Sequence, residues 1–142
     1  MVAVGLPGSG KSYYFDGIGV HPISSDAIRL QLMDDETDQT IHARVFATVR
    51  YLLEQRIELG RPVTHIDATN LTRRDRKPYI AIARRHGVGI EALWFDVPLG
   101  VCKSRNAARG RMVPEYVMDQ MAAKLVPPSV AEGFERVTRE AP

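Results

Sequence analysis

Two periods of apolar residues alternate along this chain. Residues 1–6 and 89–97 carry short, largely apolar runs, and with residues 62–67 they read as strands, that over 62–67 as buried. Between them, apolar positions recur every three or four residues, the spacing of one helix face. The clearest case is residues 40–59, where Ile41, Val45, Val49, Leu52, Leu53 and Ile57 form one stripe that Gly60 closes. A second is residues 72–86, with Tyr79, Ile80, Ile82 and Ala83 expected inward and a strongly basic outer face. Shorter helices are predicted over 11–15, ended by Gly17 and Gly19, and over 25–32. A short strand over 21–24 delivers Ser25-Asp26, and residues 34–38 form an acidic, polar break. Residues 98–109 predict another helix, Pro114 opens one that ends before Pro127-Pro128, and residues 134–138 suit an edge strand.

Strands and helices that alternate in this way build an α/β domain with a mainly parallel sheet. The 142 residues suit one domain over 1–142, with room for one real core. Hydrophobic content of 44% and charged content of 25% are ordinary for a soluble globular chain, and no apolar run is long enough to cross a bilayer. Cys102 is the only cysteine, which excludes an intrachain disulfide and makes a reducing, cytoplasmic setting the expectation. Its expected role is a small buried hydrophobe on a helix. A loop beginning at residue 5 leaves no room for a leader, and so abrupt a first strand is expected to have a few residues ahead of it in the full product. Net charge of +2 is too small to argue nucleic-acid binding by itself. Fifteen of the nineteen basic residues are arginine, the residue of bidentate phosphate recognition.

The chemistry begins directly after the first apolar run. Gly5-Leu6-Pro7-Gly8-Ser9-Gly10-Lys11-Ser12 fits the phosphate-binding loop pattern, in strand-to-helix context. Such a loop turns backbone N–H groups inward around polyphosphate, and Gly5, Gly8 and Gly10 permit the dihedrals and close approach this needs. The helix starting near Lys11 adds unpaired N–H groups and a positive dipole end. In this pattern Gly8, Ser9, Gly10, Lys11 and Ser12 contact the nucleotide, with Lys11 reaching the β/γ-phosphates and the Ser12 hydroxyl holding Mg²⁺. Lys11 is expected to be a solvated loop lysine that holds no core.

Three further clusters carry candidate chemistry. Asp26, at the carboxyl end of the second strand, can accept the proton of an attacking hydroxyl, with Arg29 one helical turn later. The same residues suit a helix cap, Ser25 or Asp26 satisfying N–H groups while Arg29 is simply solvated. Asp67, at the end of the run over 63–66, stands where an acid supports Mg²⁺ beside a phosphate loop, or caps the next helix. Residue 68 is Ala, so the water-activating glutamate of motor ATPases is missing there, which favours transfer over hydrolysis. Arg105 and Arg109 stand four apart, followed by Gly110 and Pro114. Helix, arginines, hinge and helix suit a mobile lid over about 105–114, or a plain solvated basic face.

Taken together, the phosphate loop, Ser25-Asp26-Ala27-Ile28-Arg29, Asp67-Ala68-Thr69-Asn70-Leu71 and Arg105-Asn106-Ala107-Ala108-Arg109-Gly110 with Val113-Pro114 resemble the polynucleotide-kinase-type P-loop kinases. The resemblance covers nearly the whole chain. It implies a three-layer fold with a central parallel sheet of order 2-3-1-4-5, and transfer of the γ-phosphoryl of ATP, with Mg²⁺, to a hydroxyl. It also implies Asp26 as general base and Arg29 on the acceptor's neighbouring phosphate. Asp67 would support Arg29 and the metal, while Arg105 and Arg109 clamp the donor phosphates. A polynucleotide 5′-hydroxyl is the first expectation for the acceptor, with Arg73, Arg74, Arg76 and Arg84 available to a longer strand. The alternatives are a small metabolite or nucleotide sugar, and a regulatory module that binds ATP without transfer. The oligomeric state is not legible.

Overall fold

The computed structural model describes residues 1–109 and 113–141. Five strands form one parallel sheet in the order β2-β3-β1-β4-β5, as expected from the sequence. In chain order the elements are β1 (Val2–Val4), α1 (Lys11–Gly17), β2 (Ile23–Ser24), α2 (Ser25–Met33) and α3 (His42–Glu58). There follow β3 (Ile66–Asp67), α4 (Arg73–His86), β4 (Glu91–Phe95), α5 (Leu99–Ala107), α6 (Glu115–Lys124), a 3₁₀ turn (Val130–Glu132) and β5 (Arg136–Glu140).

The central strands are covered on both faces, which is why their apolar runs lack alternation. Val2 and Ala92 face the cluster that α2, α3 and α4 supply through Ile28, Val45, Val49, Tyr79 and Ile80. The next residues, Ala3 and Leu93, face the other way, onto Phe15 of α1. Burying a side chain such as the fully enclosed Phe15 is worth about 1.5–3 kcal/mol, so α1 is held to the sheet by a few such contacts. A third cluster joins Leu6, Leu71, Cys102 and Met118 beneath the phosphate loop, with Cys102 fully buried on a helix as expected. No described helix is long and apolar enough to cross a membrane.

Two expectations need correction. The strand over 62–67 shrinks to Ile66–Asp67, and Val63 is half exposed. Ahead of Ile66 an arginine side chain holds the chain: Arg56 donates to the Val63 carbonyl at 2.8 Å and to the Thr64 hydroxyl at 3.0 Å. The basic outer face of α4 also loses a member. Arg76 lies on the inner stripe with Tyr79, Ile80 and Ala83 and is fully buried. Its Nε and Nη2 donate to the two Glu132 carboxylate oxygens at 2.8 and 3.0 Å. Its Nη1 donates to the carbonyls of Asn70 and Val126, both at 3.0 Å. One guanidinium therefore ties the loop after β3 to the chain after α6 and to the 3₁₀ turn.

A buried ion pair costs most when only one partner is removed. Arg76→Ala should lower unfolding stability by about 3–5 kcal/mol in urea titrations, and Arg76→Met with Glu132→Met should recover part of that loss. A loss for Arg76→Ala as small as that of an exposed pair, about 1 kcal/mol or less, would contradict the role given to this knot.

Candidate active site

A cleft of about 890 Å³ opens at the carboxyl ends of the strands, the ligand edge of an open α/β sheet. The phosphate loop forms its floor. Gly8 and Gly10 take φ of +81° and +97°, the left-handed region that glycine adopts without strain. A Cβ on Gly8 would also stand 2.5 Å from the Cys102 carbonyl oxygen. Gly10 is the N-cap of α1, so Lys11 and Ser12 open the helix as the motif requires.

Lys11 is not the solvated residue expected. Its side chain is buried beneath the loop, and Nζ donates to the carbonyls of Gly5 and Leu6 at 2.9 and 2.8 Å. Ser12 Oγ donates to Asp67 Oδ2 at 2.9 Å, which joins the loop after β1 to the end of β3. Burial pushes the Asp67 carboxyl above its ordinary range, with Lys11 and the Ser12 hydroxyl pulling it back. Thr72, not Asp67, caps α4, in a capping box with Asp75.

At the next strand, Ser24 caps α2, its side chain accepting from Ala27 N at 3.2 Å. Asp26 is thereby left in the first turn facing the cleft, its side chain 45% exposed. Arg29 is not solvated: it is 4% exposed, and its Nη1 donates to Asp26 Oδ1 at 3.0 Å. The capping reading of Asp26 and of a free Arg29 is therefore set aside. On the far side of β1, Arg105 Nη1 lies 3.4 Å from the Gly8 carbonyl oxygen. Helix α5 stops at Ala107, so Arg109 sits in the turn after it, its N–H on the Asn106 carbonyl at 3.2 Å. The two arginines do not share one helix, yet both line the cleft. The centre of the expected lid, including its break at Gly110, lies outside the described residues.

The order of these groups along the edge follows the order of the strands. Asp26 follows β2, Asp67 ends β3, the phosphate loop follows β1, and Arg105 follows β4. With strands about 4.8 Å apart, the Asp26 strand stands roughly 10 Å from the phosphate-loop strand. Two carboxylates, the glycine-rich loop and two arginines are laid out in sequence across one cleft.

A model of the AAA domain family designated AAA_33 matches residues 1–128. The chain belongs to this family. No curated protein matches this chain in sequence. Solved structures share its fold. A sugar kinase from Janibacter sp. HTCC2649 aligns at a TM-score of 0.69 and 20% identity, over 99% of this chain and 83% of its own. A gluconokinase from Sinorhizobium meliloti 1021 gives 0.63 and 20%, over 99% and 80%. The Mycobacterium tuberculosis APS kinase, solved with AMPPNP and APS, gives 0.56 and 18%, over 99% and 87%.

Several residues of the AAA domain site were not singled out by sequence. Asn70 takes φ of +46° and donates from Nδ2 to the Ala3 carbonyl at 2.8 Å, pinning the loop after β3 to β1. Asn106 is buried and makes a reciprocal pair with the Val113 backbone, at 2.7 and 3.0 Å, which ties the last turn of α5 to the residue before Pro114. Gln39, His42 and Phe46 also reach the cleft. A buried asparagine amid motif residues was the available signal for the first two. Nothing in the pattern marked the other three.

Burial holds the Lys11 ammonium down at about 8, below the ordinary lysine value of 10.5, with Asp67 and then Asp26 pulling it back up. Its folded value lies below its unfolded one, so the buried charge costs stability below about pH 8. That cost is relieved as pH rises from about 8 towards 10.5. Wild-type protein should therefore gain stability relative to Lys11→Met across that window in denaturation series. A difference that stays flat would contradict the buried, charged state of Lys11.

Proposed function

We propose that this AAA domain is an ATP-dependent kinase that transfers the γ-phosphoryl group to a hydroxyl of a small metabolite. The observation that carries the reading is the strand-ordered edge: base, acid, phosphate loop, arginines. The cradle of Gly8, Ser9, Gly10, Lys11 and Ser12 would hold the donor phosphates, with Lys11 leaving its loop carbonyls for the β/γ-oxygens. Arg105 and Arg109 would offset charge on the transferring group. Ser12 and Asp67 present hard oxygen donors 2.9 Å apart, which fits Mg²⁺. No group of three potential metal-ligating side chains occurs among the described residues, and Mg²⁺ beside phosphates commonly takes only one or two protein ligands. When bound, the ion would neutralise charge on the phosphate oxygens.

In the transfer, the acceptor oxygen bonds to the γ-phosphorus, the bridge to the β-phosphate breaks, and the hydroxyl proton passes to Asp26. Positioning and electrostatics do most of the work. The Asp26–Arg29 pair favours this reading over a module that only binds ATP, which needs no carboxylate on the acceptor side. A cytoplasmic setting fits it.

A polynucleotide 5′-hydroxyl has less support as acceptor. Arg76 is withdrawn into the core, and Arg73, Arg74 and Arg84 do not line the cleft. The structural neighbours are named as sugar kinase, gluconokinase and APS kinase. Asp26→Asn should keep ATP binding, measured by titration calorimetry, while transfer slows by on the order of 10²–10⁴-fold. Unchanged transfer in a folded Asp26→Asn protein would remove the base and with it the mechanism.

A further inference from the structure

The acceptor end of the cleft has a wall of its own, and its chemistry narrows the acceptor. The segment between α2 and α3 is shaped by two side-chain turns. Asp35 accepts from the Thr37 backbone N–H at 2.9 Å, and Asp38 from that of Thr40 at 2.8 Å. This brings Thr37 and Gln39 to the cleft, followed by His42 and Phe46 from the first turns of α3. Helix α3 packs on α2 and β2, the strand that delivers Asp26, so this wall stands on the side of the base. His42 and Phe46, four apart, place their rings 4.7 Å apart at 43°. Phe46 is also anchored against the core, which fixes the platform.

Charge is what this wall lacks. Among the described residues, the basic side chains lining the cleft are Lys11, Arg29, Arg105 and Arg109. Lys11 belongs to the phosphate loop, and the other two arginines follow β4, beyond it. Arg29 alone is on the acceptor side, but it is 4% exposed and engaged with Asp26, and its Nε is sealed from solvent with no hydrogen-bond partner. Among the described residues, an anionic acceptor would therefore meet no open cation there. A hydroxyl-rich ring or chain would meet an amide, a hydroxyl and an imidazole that donate and accept, and an aromatic surface for its C–H face.

We propose that Gln39, His42 and Phe46 form an acceptor subsite for an uncharged polyhydroxylated small molecule, a sugar or polyol, one hydroxyl of which reaches Asp26. Arg29 is then a positioning residue for Asp26, a different role from the phosphate contact implied by the sequence resemblance. The subsite rests on the kinase reading and narrows it. The names of the structural neighbours differ in acceptor, so the shared fold does not choose among them.

The test is steady-state transfer from ATP to aldoses and alditols, to the matching sugar acids and sugar phosphates, and to an oligonucleotide with a free 5′-hydroxyl. Neutral sugars or polyols should be the preferred acceptors. Gln39→Ala and His42→Ala should each raise the acceptor KM by roughly three- to tenfold, the worth of one neutral hydrogen bond, with the KM for ATP unmoved. Phe46→Leu, which keeps the core filled, should do the same where Phe46→Ala risks unfolding. Transfer confined to charged acceptors, or these variants altering the ATP KM instead, would overturn the subsite and leave the kinase standing. Failure to phosphorylate any acceptor, with ATP bound equally by wild type and Lys11→Met, would overturn both.

Discussion

Two loops must be held side by side for this cleft to exist, and backbone and side-chain hydrogen bonds between β1 and β3 hold them. Gly5 N donates to the Thr69 carbonyl at 3.0 Å, just past the last strand residues. Asn70 reaches back to the Ala3 carbonyl, and Ser12 reaches across to Asp67. Behind them Arg76 grips the Asn70 carbonyl and carries the connection to the chain after α6. The phosphate loop is thus braced from the side where Asp67 lies. Site geometry set by neighbouring strand ends is more exact than geometry set by a free loop.

That bracing also explains why an arginine is buried at some expense. An ion pair removed from water gives weak net stability, and an apolar replacement of the same shape often does as well. Here the guanidinium also satisfies two backbone carbonyls from segments that no strand or helix pairs. An apolar side chain would leave both unpaired, at about 1–3 kcal/mol each. The knot serves loop carbonyls that the fold itself strands.

Much of the fold and part of the site were legible because they are written locally. The phosphate loop is a run of eight residues whose glycines answer to dihedrals and close approach, and the sheet order followed from the family its motifs resemble. What stayed hidden are pairings between segments far apart in the chain. Arg76 meets Glu132 across 56 residues, and nothing near Arg76 in sequence announces the partner. One clue was present: position 76 shares the stripe of Tyr79, Ile80 and Ala83, so a charge there needed an internal partner. Lys11 reads as solvated for a related reason, since the carbonyls that bury it curl over only once the loop is folded. The strand over 62–67 came out short because the Arg56 side chain, rather than a neighbouring strand, holds the Val63 carbonyl. The acceptor wall carries no motif at all, because side chains that select one metabolite answer to that molecule rather than to the fold.

The edge runs from Asp26 to Arg105, and in the proposed reading it places a base at one end and a donor clamp at the other, so that phosphoryl transfer to a hydroxyl would use all of it. With Ala68 after Asp67, the position of a water-activating acid is empty of one. Product analysis by phosphorus NMR tests this most directly. ATP, Mg²⁺ and a mixture of small hydroxyl compounds, incubated with the protein, should yield ADP and a new phosphomonoester in equal amounts. ADP with inorganic phosphate, formed at the same rate whether or not the hydroxyl compounds are present, would contradict the account.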